Sequence, residues 1–154
     1  MREKKLVLKL IEKNCHIAAA ESCTGGMFAS TIINVPMASK VINESVVTYA
    51  NEAKIKYCSV NPKSIEEFGV VSEDVAGQMA MGIALSSNSE VGVGISGIAG
   101  PSGGTDKKPV GMVCFGIYIN GKLLTFTKYF KGSRTVVRKK STKFVIDKLI
   151  EILG

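Results

Sequence analysis

The sequence predicts an α/β protein, a three-layer α/β/α sandwich around a mixed, roughly five-stranded sheet. Up to residue 96, segments with helical periodicity alternate with short apolar strands, the pattern of parallel strands joined by helical crossovers. Asn120-Gly121 then separates two strand-like segments. This dipeptide is the strongest short-range hairpin signal, so the last two strands are expected to be antiparallel neighbours. The chain has 154 residues, 45% of them hydrophobic, which suits one domain with a real core. No Pro/Gly/Ser-rich stretch divides it and no internal repeat is visible, so residues 1–154 read as a single domain.

Leu6, Val7, Leu10 and Ile11 define the apolar face of a first helix, opposite Lys5, Lys9, Glu12 and Lys13. His16 to Ala20 reads as a buried strand of small residues, and Met27 to Ile33 as a second helix capped by Ser22 or Thr24. After a turn near Pro36, the segment from Val41 to Ala50 holds Val46-Val47-Thr48-Tyr49, a good strand signal, and Asn51 reads as the cap of the next helix. Short helices are expected over 52–58 and 62–68, and Ser72-Glu73-Asp74 opens a longer one running to about Ser86. Val91 to Ser96 is a buried strand. Gly97 to Thr105 is too rich in Gly and Pro for a regular element and precedes the polar Asp106-Lys107-Lys108. Strands over 112–119 and 123–130 lead into a terminal helix whose core face is Val137, Phe144, Val145, Leu149 and Ile152.

Bulk properties narrow the function. The formal net charge is +7, with Lys128, Lys131, Arg134, Arg138, Lys139, Lys140, Lys143 and Lys148 crowded near the C-terminus. Most fall on the outer face of one helix and read as a solvated cationic surface in preference to a nucleic-acid site, since too few aromatics lie among them to stack bases. Cys15, Cys23, Cys58 and Cys114 form no CxxC or Cys/His pair, so neither a disulfide framework nor a metal site is indicated. The thiols are expected to be reduced and mostly buried. No cofactor is implied, because Gly97 to Gly104 matches neither a Walker loop nor a GxGxxG helix start. The N-terminus lacks a signal-peptide pattern and no stretch could span a membrane, so a cytoplasmic location without a membrane partner is expected.

Three segments fall at the C-terminal ends of predicted strands, the edge where open α/β sheets bind ligands. They are Glu21-Ser22-Cys23-Thr24-Gly25-Gly26, Tyr49-Ala50-Asn51-Glu52-Ala53-Lys54, and the loop from Gly97 to Thr105. In the first, three reactive side chains sit at a strand-to-helix junction, and the turn serves either as a plain helix cap or as a cradle for an anion or oxyanion. The only histidine, His16, is too close in sequence to Cys23 to serve it easily as a base and reads as a plain strand residue. Together with Lys108-Pro109-Val110-Gly111, these segments closely resemble, in order and spacing over nearly the whole chain, the CinA C-terminal domain family.

The family's characterised members are nicotinamide-nucleotide amidases, so the resemblance implies hydrolysis of nicotinamide mononucleotide to nicotinate mononucleotide and ammonia, in pyridine-nucleotide salvage. With no usable histidine or metal cluster, a Ser/Lys pair suits that chemistry. Ser22 would attack the carboxamide carbon. Lys54, similar to the family's lysine after an Asn-x-Ala pattern, would take its proton, provided burial or a nearby cation lowers its pKa. Tyr49 is a candidate for positioning the lysine or shuttling the proton, and Thr24 for hydrogen-bonding the ligand. Backbone N–H groups from Thr24 through Gly25 to Gly26 are expected to form the oxyanion site, with Cys23 and Asn51 beside the ligand. The loop holding Gly100, Gly103, Gly104 and Thr105 would wrap ribose or phosphate. Arg134, in a Gly132-Ser133-Arg134 segment similar to the family's Gly-Asp-Arg, or Arg138 one turn later, would grip the phosphate as a bidentate donor.

Ala50 stands where many members have Ser, and Ser133 where Asp is usual, without removing an atom that this mechanism needs. The resemblance is to the stand-alone form, lacking the N-terminal nucleotide-processing domain of many members, and it further implies a homo-oligomer. Two other readings remain open at this level. One is a non-catalytic nucleotide- or DNA-binding module, suggested by the basic C-terminal helix. The other is an amidase for a different small carboxamide.

Overall fold

In the computed structural model, which describes residues 1–154, the chain runs α1 (Arg2–Glu12), β1 (Ile17–Glu21), α2 (Met27–Ile33), a 3-10 turn (Ala38–Lys40), β2 (Ile42–Val47), α3 (Asn51–Cys58), α4 (Pro62–Phe68), α5 (Glu73–Ser86), β3 (Val91–Gly97), β4 (Met112–Ile119), β5 (Lys122–Tyr129) and α6 (Arg134–Leu153). The sheet order is β2-β1-β3-β4-β5. β1 pairs in parallel with both β2 and β3, whereas β3–β4 and β4–β5 are antiparallel. This is the expected mixed five-stranded sheet. At the last hairpin Asn120 and Gly121 take φ of 51° and 78°, the two positive values that a type I′ turn demands.

Strand alternation divides the interior into two layers. Ile17 and Ala19 of β1 join a large core with α1, α2 and α6, whereas Ala18 and Ala20 join a smaller one with Val75, Met79 and Ile83 of α5. All five β1 residues are buried, and their small size is what a strand covered by helices on both faces allows. On the α5 side the approach is closer still. A Cβ at Gly94 would overlap the Ala76 carbonyl, and one at Gly92 the Ala80 carbonyl. Ala76, Ala80 and Ala84 recur every fourth residue and present the matching small-residue stripe. Gly94→Ala is therefore expected to push α5 off the sheet and to cost about 1–3 kcal/mol, read as a lower urea midpoint.

On the other face, α6 buries Val137, Val145, Ile146, Leu149 and Leu153. Phe144 packs beside them with its ring centroid 4.7 Å from that of Phe115. The expected core face is right in phase, and Ser141 and Thr142 lie buried within it because each hydroxyl donates to a carbonyl one turn back, at 2.8 and 3.0 Å. The four cysteines are buried free thiols. His16 lies just before β1, where its backbone N–H donates to the Glu90 carboxylate at 2.6 Å. No helix is long and apolar enough to cross a membrane.

Topology gathers the candidate segments. β1, β2 and β3 run the same way, so residues 22, 48–54 and 98–105 leave the sheet at one edge. β4 starts and β5 ends at that edge, which delivers residues 108–111 and the first turn of α6 to it. Two local expectations are corrected. β2 stops at Val47 rather than running on to Tyr49 and Ala50, since Thr48 makes one last bond to the Glu21 carbonyl before the chain turns. Asn51 is not a cap: Ala50 takes that position in an extended conformation, without a side-chain cap bond, and Asn51 is the first helical residue.

Candidate active site

Ser22 occupies the rung just beyond β1, its N–H donating to the Ile95 carbonyl at 2.9 Å. The chain then turns through Gly25 and Gly26, whose φ values of 55° and 98° suit glycine alone at low cost. Neither Ser22 nor Thr24 caps α2. Glu21 does so from the end of the strand: its fully buried carboxylate accepts from Phe28 N–H at 2.8 Å and Ala29 N–H at 3.1 Å, with the Ser45 hydroxyl at 3.4 Å. An ionised carboxylate satisfies two orphan donors where a hydroxyl satisfies one, and it complements the helix dipole. Glu21→Gln puts an NH2 against one of those donors and is expected to cost about 1–3 kcal/mol, measured by chemical denaturation. The far side of the turn is fastened by Arg138, which donates to the Cys23 carbonyl at 2.9 Å and the Thr24 carbonyl at 3.0 Å.

α3 supplies the partner of Ser22. Lys54 lies in the first turn of α3, and helical side chains lean toward the N-terminus, so its amine reaches back over the β2–α3 turn. It is 1% exposed. Nζ donates to the Thr48 carbonyl at 2.7 Å and the Tyr49 carbonyl at 3.3 Å, and stands 3.4 Å from Ser22 Oγ. Burial lowers the Lys54 pKa from the ordinary 10.5, opposed by the Cys58 and Cys23 thiols. A neutral amine has two N–H donors and one lone pair. The two carbonyls take the donors, which leaves the lone pair for the Ser22 hydroxyl proton. The 3.4 Å separation suits a catalytic hydrogen bond that tightens as the reaction proceeds.

These groups open into a pocket of about 550 Å³, within the usual range for small-molecule sites. Ser22, Cys23, Tyr49, Lys54, Gly100, Gly103, Thr105 and Arg134 line it, so eight sequence-derived candidates meet in one cavity. Arg134 donates to the Gly100 carbonyl at 2.8 Å and to the Tyr49 hydroxyl at 3.0 Å, bridging the glycine loop and the β2–α3 turn. Tyr49 meets Lys54 through its carbonyl, and its phenol is held by Arg134. Burial pushes the Cys23 thiol up to about 11, partly offset by its own backbone and by Arg138, so at neutral pH it is a protonated, poor nucleophile.

The other candidates stand apart from the lining. Thr24 is fully buried and its hydroxyl has no hydrogen-bond partner. The Gly25 N–H is spent on the Ser22 carbonyl at 3.0 Å, which removes it from the expected oxyanion set, whereas Cys23, Thr24 and Gly26 N–H have no backbone acceptor. Gly104 packs against Val110, a Cβ there coming 2.6 Å from its nitrogen. Asn51 is exposed on α3. Arg138 holds the nucleophile turn instead of reaching into the cavity.

Sequence reasoning missed one whole wall. Gly69, Val70 and Val71, from the α4–α5 connection, line the pocket with Ser96, Ile98, Ala99 and Lys108. Ser96 Oγ donates to the Val70 carbonyl at 2.6 Å and Lys108 Nζ to the Phe68 carbonyl, tying that connection to β3 and to the β3–β4 loop. Lys108, in the Lys-Pro-Val-Gly segment, was the available signal. Nothing local marks Gly69 to Val71.

The chain matches the family described as CinA C-terminal domain over residues 1–153. It is 47% identical over 145 residues to a competence-damage inducible protein of Alkaliphilus metalliredigens, covering 94% of this chain and 35% of that protein. It is 44% identical over 144 residues to a CinA-like protein of Kosmotoga olearia, covering 93% and 35%. The chain thus spans about a third of the length of these curated relatives. Among solved structures, a CinA superfamily protein from Escherichia coli superposes with a TM-score of 0.95 at 33% identity, covering 98% of this chain and 88% of that one. A competence or damage-inducible protein from Enterobacter asburiae gives 0.96 at 33% identity, covering 99% and 96%. Family match and fold agree: the chain belongs to the CinA C-terminal domain family.

Proposed function

We propose that this protein is an amidohydrolase that converts nicotinamide mononucleotide to nicotinate mononucleotide and ammonia, with Ser22 as nucleophile and Lys54 as the general base and acid. The observation that carries the reading is the buried Lys54 amine, fixed by two carbonyls and set 3.4 Å from Ser22 Oγ in the lining of the pocket. Such an amine has no use for stability, since burying it lowers its pKa and costs free energy. As a base for a serine it has one.

Ser22 Oγ attacks the carboxamide carbon while its proton passes to Lys54. The tetrahedral oxyanion has the unaccepted N–H groups of the 22–26 turn, Cys23, Thr24 and Gly26, as candidate donors. Lys54 then returns the proton to the departing nitrogen, which leaves as ammonia, and an ester remains on Ser22. Water attacks that ester with Lys54 again taking a proton. The carboxylate departs, and the proton returns from Lys54 to Ser22 Oγ. No carboxylate or imidazole lines the pocket, so the same amine serves both half-reactions. Incubating the purified chain with nicotinamide mononucleotide and following ammonia and the acid product tests the proposal. Folded protein that releases neither across a range of pH sinks it.

A further inference from the structure

We propose that Lys108 is a specificity-determining residue of this site, a second cation that holds the dianionic phosphomonoester end of the ligand together with Arg134. The identity of the ligand rests on the amidase reading, whereas the placement of the charge does not. Three cations line the cavity, Lys54, Lys108 and Arg134, and no Asp or Glu does. Lys54 is consumed by the chemistry at the floor. The other two take part in none of the molecule's ion pairs. Each rests on a neutral carbonyl, Arg134 on Gly100 and Lys108 on Phe68.

Lys108 is seated for this role. Its backbone is pinned by Thr105, with Lys108 N–H donating to the Thr105 hydroxyl at 3.0 Å and Thr105 N–H to the Lys108 carbonyl at 2.7 Å. Its ammonium lies against Gly69, where φ is +79° and a Cβ would come 2.7 Å from Nζ. The ammonium has three N–H donors and spends one on Phe68, leaving two for a ligand in the cavity it lines. Two cations without an anionic partner lining one cavity make an unbalanced local charge, and a phosphomonoester of about −1.5 to −2 at neutral pH balances it. A singly charged carboxylate does not. The neighbouring Lys107 is exposed and outside the lining, which makes it an internal control for net charge.

The test compares wild type with Lys108→Met, Lys108→Arg, Lys107→Met and Ser96→Ala, titrated calorimetrically with nicotinate mononucleotide and with its dephosphorylated riboside. Lys108→Met is expected to weaken the phosphorylated ligand by about 10- to 100-fold, the range for a charge-assisted hydrogen bond, and the riboside by no more than Ser96→Ala does. Lys108→Arg is expected to recover most of the loss, and Lys107→Met to match wild type. Ser96→Ala cuts the other tie to the α4–α5 connection, from β3, without altering charge, so it is expected to weaken both ligands alike. Equal weakening of both ligands by Lys108→Met would reduce the residue to a loop strap and overturn the proposal, as would no weakening at all. Should wild type bind neither compound, turnover decides the amidase reading, which fails if no ammonia is released from nicotinamide mononucleotide. The charge claim is then read with inorganic phosphate alone, and equal binding by wild type and Lys108→Met overturns it.

Discussion

Ser22→Ala is expected to reduce turnover of nicotinamide mononucleotide by a factor on the order of 10⁴ to 10⁶, the scale seen when the nucleophile of a covalent hydrolase is deleted, while leaving the fold unchanged. The fold survives because the serine is held through its backbone: its N–H stays on the Ile95 carbonyl, and its Oγ touches only the lysine amine. Alanine removes one hydroxyl and introduces no volume into the core. Rescue by the adjacent Cys23 is not expected, since that thiol is buried and pushed up to about 11. Cys23→Ala should accordingly retain most of the rate. Steady-state kinetics together with a denaturant midpoint for each variant decides the matter. If Ser22→Ala turned over at the wild-type rate with an unchanged midpoint, the nucleophile assignment would be wrong. A covalent ester on Ser22 also means that hydroxylamine, which needs no base to attack, diverts product to the hydroxamate in the wild type and not in Ser22→Ala.

The edge that carries the site was legible in the sequence because it follows from strand order and chain direction, which hydrophobic runs and one Asn-Gly hairpin suffice to indicate. The pairing of Ser22 with Lys54 rests instead on the family resemblance and the lack of a usable histidine. Each stands just past the end of a predicted strand, and β1 and β2 are neighbours. What the sequence hid was the traffic of hydrogen bonds within that edge. Glu21 is the last residue of a strand whose alternation only says which face it occupies. That its carboxylate caps α2 depends on a turn tight enough to bring Phe28 and Ala29 back over it. In the sequence Arg138 stands beside Arg134 as an alternative phosphate candidate because the two are one helical turn apart, which periodicity alone reads as the same face. In the structure Arg134 reaches the glycine loop and Arg138 the nucleophile turn. The Gly69 to Val71 wall was invisible because it belongs to a connection between two helices. It is held at the site by two long-range bonds to carbonyls, from Ser96 and Lys108, and by apolar packing of Val70 and Val71 beside Ile98.

Lys54 yields the second large effect, and its pH dependence separates a base from a mere electrostatic support. Lys54→Arg keeps a cation and its donors but cannot be deprotonated in the working range, so a loss of about 10³-fold or more is expected if the lysine acts as a base. Retention of a substantial rate by Lys54→Arg would exclude that role. With Lys54 as the base, the neutral amine is the form of the free enzyme that the proposed mechanism requires. kcat/KM should therefore rise with pH through the folded-state pKa of Lys54, which burial holds below 10.5. The same shift makes a stability claim. Because the folded pKa is depressed, the unfolded chain binds more protons between that pKa and 10.5, and the stability of the wild type increases with pH across this window. Below the folded pKa, the full penalty of a buried ammonium is present. Above 10.5 it has gone. Lys54→Met has no such proton to lose, so the stability of wild type relative to Lys54→Met should begin to climb at the pH where log kcat/KM levels off, both breaks marking the folded-state pKa. A shared break point ties catalysis and stability to one titrating amine. A rate that levels off at a pH above which the stability difference stays flat would place the kinetic pKa on another group.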